Sequence, residues 1–139
     1  MTGLHTGGCR CGTVRFEAQS EPFHVSYCHC VDCRRASGAP ISAFVGFKAE
    51  ASAFIGAKAS YVNGTITRCF CPVCGTPLAY LDKRLPDDIY LTLGAMDNQE
   101  HYVPTLHAWV SQKLPYFHIG DGLPQLERTS VPRPDGAIE

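Results

Sequence analysis

Apolar and polar residues alternate along Thr13-Val14-Arg15-Phe16-Glu17-Ala18, which puts Val14, Phe16 and Ala18 on one face, as in a half-buried strand. Ile41 to Phe47 is apolar almost throughout and ends in Gly46-Phe47-Lys48, the pattern of a buried strand. Glycines split Ala53 to Gly56, Ser60 to Val62 and Thr65 to Phe70 into short predicted strands, and Asn63-Gly64 signals a tight hairpin. Leu78 to Leu81, Ile89 to Leu93 and Leu106 to Val110 add three more. Helical periodicity is nearly absent. Val31 to Ser37, stopped by Gly38 and Pro40, is the best short helix. Thirteen glycines and ten prolines suit many strands joined by tight turns. The pattern predicts one all-β domain over residues 1–128. A loose C-terminal tail is expected over 129–139, where Pro132, Pro134 and Gly136 fall.

Composition narrows the class. Of 139 residues, 45% are hydrophobic and 18% charged, an ordinary globular balance rather than a disordered one. A formal net charge of -1 gives no sign of a nucleic-acid surface. No apolar run approaches the roughly 20 residues a membrane span needs. The stretch Met1 to Gly8 has neither a basic start nor an apolar core, so no secretory signal is expected. A soluble, cytoplasmic protein is the expectation, with its oligomeric state left open.

Eight cysteines change that bland picture. Disulfides belong to oxidising compartments. The spacings Cys9-x-Cys11, Cys28-x-Cys30-x-x-Cys33 and Cys69-x-Cys71-x-x-Cys74 also hold the thiols too close for easy pairing within a cluster. Close thiols that converge suit a tetrahedral Zn²⁺. If Cys9 and Cys11 lie on a strand, alternation sets their thiols side by side. Cys71-Pro72-Val73-Cys74-Gly75 has the form of a zinc knuckle, with Gly75 free to take the backbone angles that aim amides at sulfur. Cys9, Cys11, Cys71 and Cys74 together make a closed four-cysteine site, and such sites are structural.

The middle cluster, Cys28, Cys30 and Cys33, offers three thiolates from one short segment. Three protein ligands and an open position are how catalytic zinc is built, while a second structural site completed by Cys69 is the competing reading. Cys69, beside Phe70, also reads as a small buried residue. Arg34 and Arg35 flank the cluster and Arg10 lies between Cys9 and Cys11, where they can offset thiolate charge. His29 sits inside the cluster but alternates away from Cys28 and Cys30 in an extended segment, which makes it a non-ligand. His107, near Trp109, reads as a packed core residue.

Gly7-Gly8-Cys9-Arg10-Cys11-Gly12-Thr13-Val14-Arg15-Phe16, Cys28-His29-Cys30-Val31-Asp32-Cys33-Arg34-Arg35-Ala36-Ser37-Gly38-Ala39-Pro40 and Arg68-Cys69-Phe70-Cys71-Pro72-Val73-Cys74-Gly75 together resemble the glutathione-dependent formaldehyde-activating enzyme family. That family also includes centromere protein V. The resemblance runs from about Gly7 to Glu127. It implies a tent-like antiparallel β fold carrying two zinc ions. Cys9, Cys11, Cys71 and Cys74 would hold the structural ion, and Cys28, Cys30 and Cys33 the catalytic one. The implied activity is that of a carbon–sulfur lyase joining glutathione and formaldehyde as S-(hydroxymethyl)glutathione. Some other thiol or aldehyde reaction, or a non-catalytic zinc-stabilised binding module, are the other readings of the same residues.

Overall fold

The computed structural model describes residues 3–134. In chain order the strands are β1 (His5–Gly8), β2 (Arg15–Ala18), β3 (His24–Cys28), β4 (Ser42–Lys48), β5 (Ser52–Ile55), β6 (Ala59–Asn63), β7 (Ile66–Phe70), β8 (Pro77–Asp82), β9 (Asp88–Thr92) and β10 (His107–Ala108). One α-helix, α1 (Val31–Ser37), follows β3. Gly38 ends it in the left-handed region (φ 73°) and returns its N–H to the Arg34 carbonyl, the helix stop foreseen from the sequence.

Two sheets form. β1, β2 and β5 make a three-stranded antiparallel sheet in the order β1-β2-β5. The larger sheet runs β10-β3-β4-β9-β8-β7-β6. It is antiparallel except where β10 lies parallel to β3. That single parallel pair sits in an otherwise antiparallel fold, as expected from the sequence. β10 reaches β3 through the long connection after Thr92, which carries two short 3₁₀ turns, and a connection of that length permits parallel pairing.

β4 is central in this sheet, between β3 and β9, and buries Val45 and Phe47 completely. Those side chains pack with Val14, Phe16, Leu78 and Leu91 into the main core. Fully burying an aliphatic or aromatic side chain of this size is worth about 1.5–3 kcal/mol. A smaller apolar cluster gathers Cys28, Cys30, Cys33, Ala108 and Trp109, with Phe44 and Leu106 against it.

Two strands escaped the sequence pattern, β1 and β3. Over the described residues 129–134 the C-terminal segment lies against β8. Arg133 is only 7% exposed, and its Nε donates to Asp82 Oδ2 at 3.1 Å, which anchors the segment on β8. Residues 135–139 of that tail lie outside the described residues. Among the described residues, no helix is long and apolar enough to cross a membrane.

Candidate metal centres

Cys9 and Cys11 sit on a turn rather than a strand. The Gly12 N–H returns to the Cys9 carbonyl at 3.2 Å, and Gly12 takes φ 84°. Turn geometry, not strand alternation, therefore places the two thiols side by side. The second pair lies on the turn after β7, where the Gly75 N–H closes onto the Cys71 carbonyl at 2.9 Å with Gly75 at φ 81°. The Arg10 N–H donates to Thr76 Oγ1 at 3.1 Å and ties the two loops together.

The four sulfurs of Cys9, Cys11, Cys71 and Cys74 lie within 4.8 Å of one another. Cys9 and Cys11 are 3.6 Å apart, Cys11 and Cys71 3.8 Å. A tetrahedron with Zn–S bonds of about 2.3 Å has edges of about 3.8 Å, so the donor set fits zinc. Backbone amides point at the sulfurs: Val14 N to Cys9 Sγ at 3.2 Å, and Val73 N and Cys74 N to Cys71 Sγ at 3.4 Å each. The Val14 amide lowers the Cys9 thiol, and contact with Thr76 lowers Cys74 to about 5. Thiolates are what a metal takes.

The second cluster is built by the β3–α1 junction. Cys28 ends β3, Cys30 caps α1 and Cys33 occupies its first turn. All three are buried, their sulfurs lie within 4.8 Å of one another, and the Cys33 N–H donates to Cys30 Sγ at 3.2 Å. Contact with Cys28 and Cys33 lowers the Cys30 thiol to about 3, while Cys30 and Cys33 raise Cys28 well above the ordinary thiol range. One negative charge is thus shared among three crowded sulfurs, a set that a divalent cation relieves. Among the described residues, no fourth Cys, His, Asp or Glu joins them. Cys69 is buried in the main core instead, its sulfur 3.6 Å from Ser60 Oγ.

Arg68 on β7 supplies the cation at this cluster. Its Nη2 donates to Cys33 Sγ at 3.5 Å and to Asp32 Oδ2 at 2.6 Å, with the guanidinium over the Tyr80 ring. Burial works against its charge, but Cys33 and Asp32 outweigh burial and raise its pKa further. Arg34, singled out in the sequence, serves otherwise. Arg34 Nη1 donates to the carbonyls of His29 and Gln112 and braces the loop. Strand alternation was the one signal for Arg68, since it turns Arg68 away from the side of the core residue Cys69.

His29 turns away from the sulfurs. Its Nε2 meets His107 Nδ1 at 2.8 Å, and His107 Nε2 meets Asp121 Oδ2 at 2.7 Å. His107 is buried and stacks on Tyr27, two residues before Trp109. Trp109 itself holds a left-handed backbone (φ 59°) that costs a non-glycine residue about 1–3 kcal/mol. Its N–H donates to the Arg128 carbonyl at 3.0 Å, and its indole lines the cavity beside the sulfurs.

Two cavities meet at this cluster, and Cys33 and Phe44 line both. The smaller, about 60 Å³, is walled by Phe44, Tyr80, Tyr90 and Trp109 and reaches all three sulfurs. The larger, about 430 Å³, runs past Ser37, Arg68, Phe70 and Thr76 and, of the three cysteines, meets Cys33 alone.

A family model described as glutathione-dependent formaldehyde-activating enzyme matches residues 4–112. Among solved structures, the crystal structure of a Rhodobacter sphaeroides protein is similar, with a TM-score of 0.55 and 21% identity. The match covers 87% of this chain and 98% of that one, and at such identity the likeness is one of fold. No curated protein matches the chain.

Proposed function

The chain belongs to the glutathione-dependent formaldehyde-activating enzyme family, and from that premise we propose that it joins a thiol to a small aldehyde at Cys28, Cys30 and Cys33. The observation that carries this reading is the incomplete donor set: three buried sulfurs, no fourth protein ligand among the described residues, and two adjoining cavities. A closed site has no place for substrate, and an open one does. Cys9, Cys11, Cys71 and Cys74 would hold a second, structural zinc that pins the β1–β2 turn to the turn after β7.

Zinc bound at the open cluster would lower the pKa of a substrate thiol and polarise a carbonyl. The chain's own groups supply the rest. Cys28, Cys30 and Cys33 give three negative charges against two positive ones, which weakens the ion's electrophilicity. Arg68 Nη2, 3.5 Å from Cys33 Sγ, draws back part of that charge. Aromatic side chains wall much of the smaller cavity, and the larger one has room for glutathione. In the reaction the thiol sulfur forms a bond to the carbonyl carbon. The carbonyl π pair becomes a hydroxyl that takes up the thiol's proton, so S-(hydroxymethyl)glutathione forms with atoms and electrons in balance. A reaction that needs its cysteines reduced suits a reducing compartment such as the cytoplasm.

The test is exchange between free formaldehyde and S-(hydroxymethyl)glutathione, followed by carbon-13 NMR on zinc-replete protein. Acceleration by the wild type and its loss in Cys30→Ser, with the four-cysteine site still loaded, is the expected result. No acceleration by the loaded wild type would leave a zinc-stabilised binding module in its place.

A further inference from the structure

The family match ends at residue 112, yet part of the smaller cavity is built from residues beyond it: Thr129, Ser130, Val131 and Arg133. We infer that this C-terminal strap is the specificity determinant of the small-substrate side, restricting the chamber at Cys28, Cys30 and Cys33 to short aliphatic aldehydes of up to about five carbons. The inference rests on the proposed aldehyde reaction for its choice of substrate, and on the structure for the wall itself.

The strap is fastened at both sides of the chamber. On one side Ser130 Oγ meets His24 Nε2 of β3 at 3.1 Å. On the other, Arg133 Nε donates to Asp82 Oδ2 at 3.1 Å and its Nη2 to Tyr80 Oη at 3.0 Å, both on β8. Arg133 Nη1 donates back to Thr129 Oγ1 at 2.7 Å and to the Val131 carbonyl at 2.5 Å, which folds the strap on itself. Between β3 and β8 lie β4 and β9. At about 4.8 Å per strand the strap therefore bridges some 14 Å and roofs Phe44 and Tyr90 on the two central strands.

Volume then sets the class of occupant. A water needs about 10–15 Å³ of such space, so 60 Å³ admits about four to six heavy atoms. That holds formaldehyde, its hydrate or propanal, and it excludes a tripeptide. The walls are aromatic, and the donors of Arg133 are directed to Asp82, Tyr80, Thr129 and Val131, which favours an uncharged substrate. Glutathione is left to the larger cavity, which shares Cys33 and Phe44 with the chamber.

Trp109 is the chain's single tryptophan and lines this chamber, so its emission reports occupancy without any turnover. Zinc-loaded protein is titrated with formaldehyde, propanal and hexanal, each response being checked for reversal on dialysis. Formaldehyde and propanal should shift Trp109 emission in the wild type and hexanal should not. Arg133→Ala should lower the half-saturating hexanal concentration at least about tenfold, the scale set by a few methylenes in an apolar pocket. A chain ended after Arg128 should do the same. Arg133→Ala keeps Asp82 paired with Arg84, which protects its fold. Val131→Ala trims the roof without touching the clamp and should give a smaller shift in the same direction. Hexanal saturating the wild type as readily as propanal would overturn the inference, as would an unchanged cutoff in the folded variants. Size-selective Trp109 shifts with no hydroxymethyl thioether formed would sink the proposed reaction and leave the strap's role standing.

Discussion

His29 Nε2 and His107 Nδ1 lie 2.8 Å apart and join side chains separated by 78 residues of chain. His107 also gives Nε2 to Asp121 Oδ2 at 2.7 Å. The network assigns the protons: His107 Nε2–H donates to the carboxylate, so its Nδ1 accepts, and His29 Nε2–H donates to it. Burial first, and His107 second, push the His29 pKa down, which suits that neutral form. His29 lies between Cys28 and Cys30, so this chain of bonds fixes the loop carrying the second cluster. His107→Phe strands a buried donor and should cost about 1–3 kcal/mol in urea unfolding of the loaded protein. Zinc release from the second site to a chromophoric chelator should quicken about tenfold, the scale of lost outer-shell support. Unchanged release in a folded variant would deny His107 that positioning role.

Asp82 sets a pH dependence of stability. Its side chain is wholly buried, and burial alone would raise its pKa. Hydrogen bonds from Arg84 and Arg133 outweigh burial and hold the carboxyl at about 2, below its ordinary 3.8. Its contribution is complete above pH about 4, where both folded and unfolded chains are ionised. As pH falls toward 2 the unfolded chain protonates first, and the contribution is lost. The lowering corresponds to about 2 kcal/mol. The stability gap between wild type and Asp82→Asn should therefore stay level from pH 7 to 5 and shrink by about that amount below pH 4. Acid also strips thiolates of metal, but both proteins share that loss and the difference isolates Asp82. A gap that is flat down to pH 2.5, read by urea unfolding, would contradict the assignment.

Local pattern carried the helix Val31–Ser37 and most strands, because period-two alternation and glycine stops are written in neighbouring residues. The spacings within each cysteine cluster were legible for a similar reason, whereas the joining of Cys9 and Cys11 to Cys71 and Cys74, about 60 residues on, is not local. His5-Thr6-Gly7-Gly8 hid β1, because its burial comes from afar: His5 Nδ1 meets Tyr102 Oη at 2.6 Å, and no apolar residue marks the strand. Arg68 and Arg133 were hidden likewise. Their partners Cys33 and Asp82 lie 35 and 51 residues away, and no periodicity records such distances.

Gly7 offers a direct test of how tightly β1 packs against β2 and the turn at Ala95. A Cβ there would run into the Ala95 carbonyl oxygen and the Phe16 ring. The contact is partly with backbone, which cannot rotate aside. Gly7→Ala should destabilise the protein by about 1–3 kcal/mol, the usual cost of overpacking a tight core. A thermal midpoint equal to that of wild type would mean that β1 can shift from Phe16 and the Ala95 turn at no cost.

Metal content separates the two cysteine groups. The Cys9, Cys11, Cys71 and Cys74 set joins loops about 60 residues apart in sequence, and Cys71 is wholly buried within the main core. Losing that ion removes a cross-link between the sheets, and binding free energy in closed thiolate sites is folding free energy. The Cys28, Cys30 and Cys33 set draws on one short segment, with β3 held by its own partners β4 and β10. Cys71→Ser should therefore fail to fold, or unfold at low urea with little zinc retained. Cys30→Ser should remain folded with one zinc per chain, against two in the wild type. The distinction needs elemental analysis together with circular dichroism on each variant. If Cys30→Ser unfolds as Cys71→Ser does, the second cluster is a structural staple, and an exchangeable position for substrate loses its support. If wild type holds a single ion that Cys71→Ser alone removes, the open cluster works without metal and the zinc-assisted reaction falls with it.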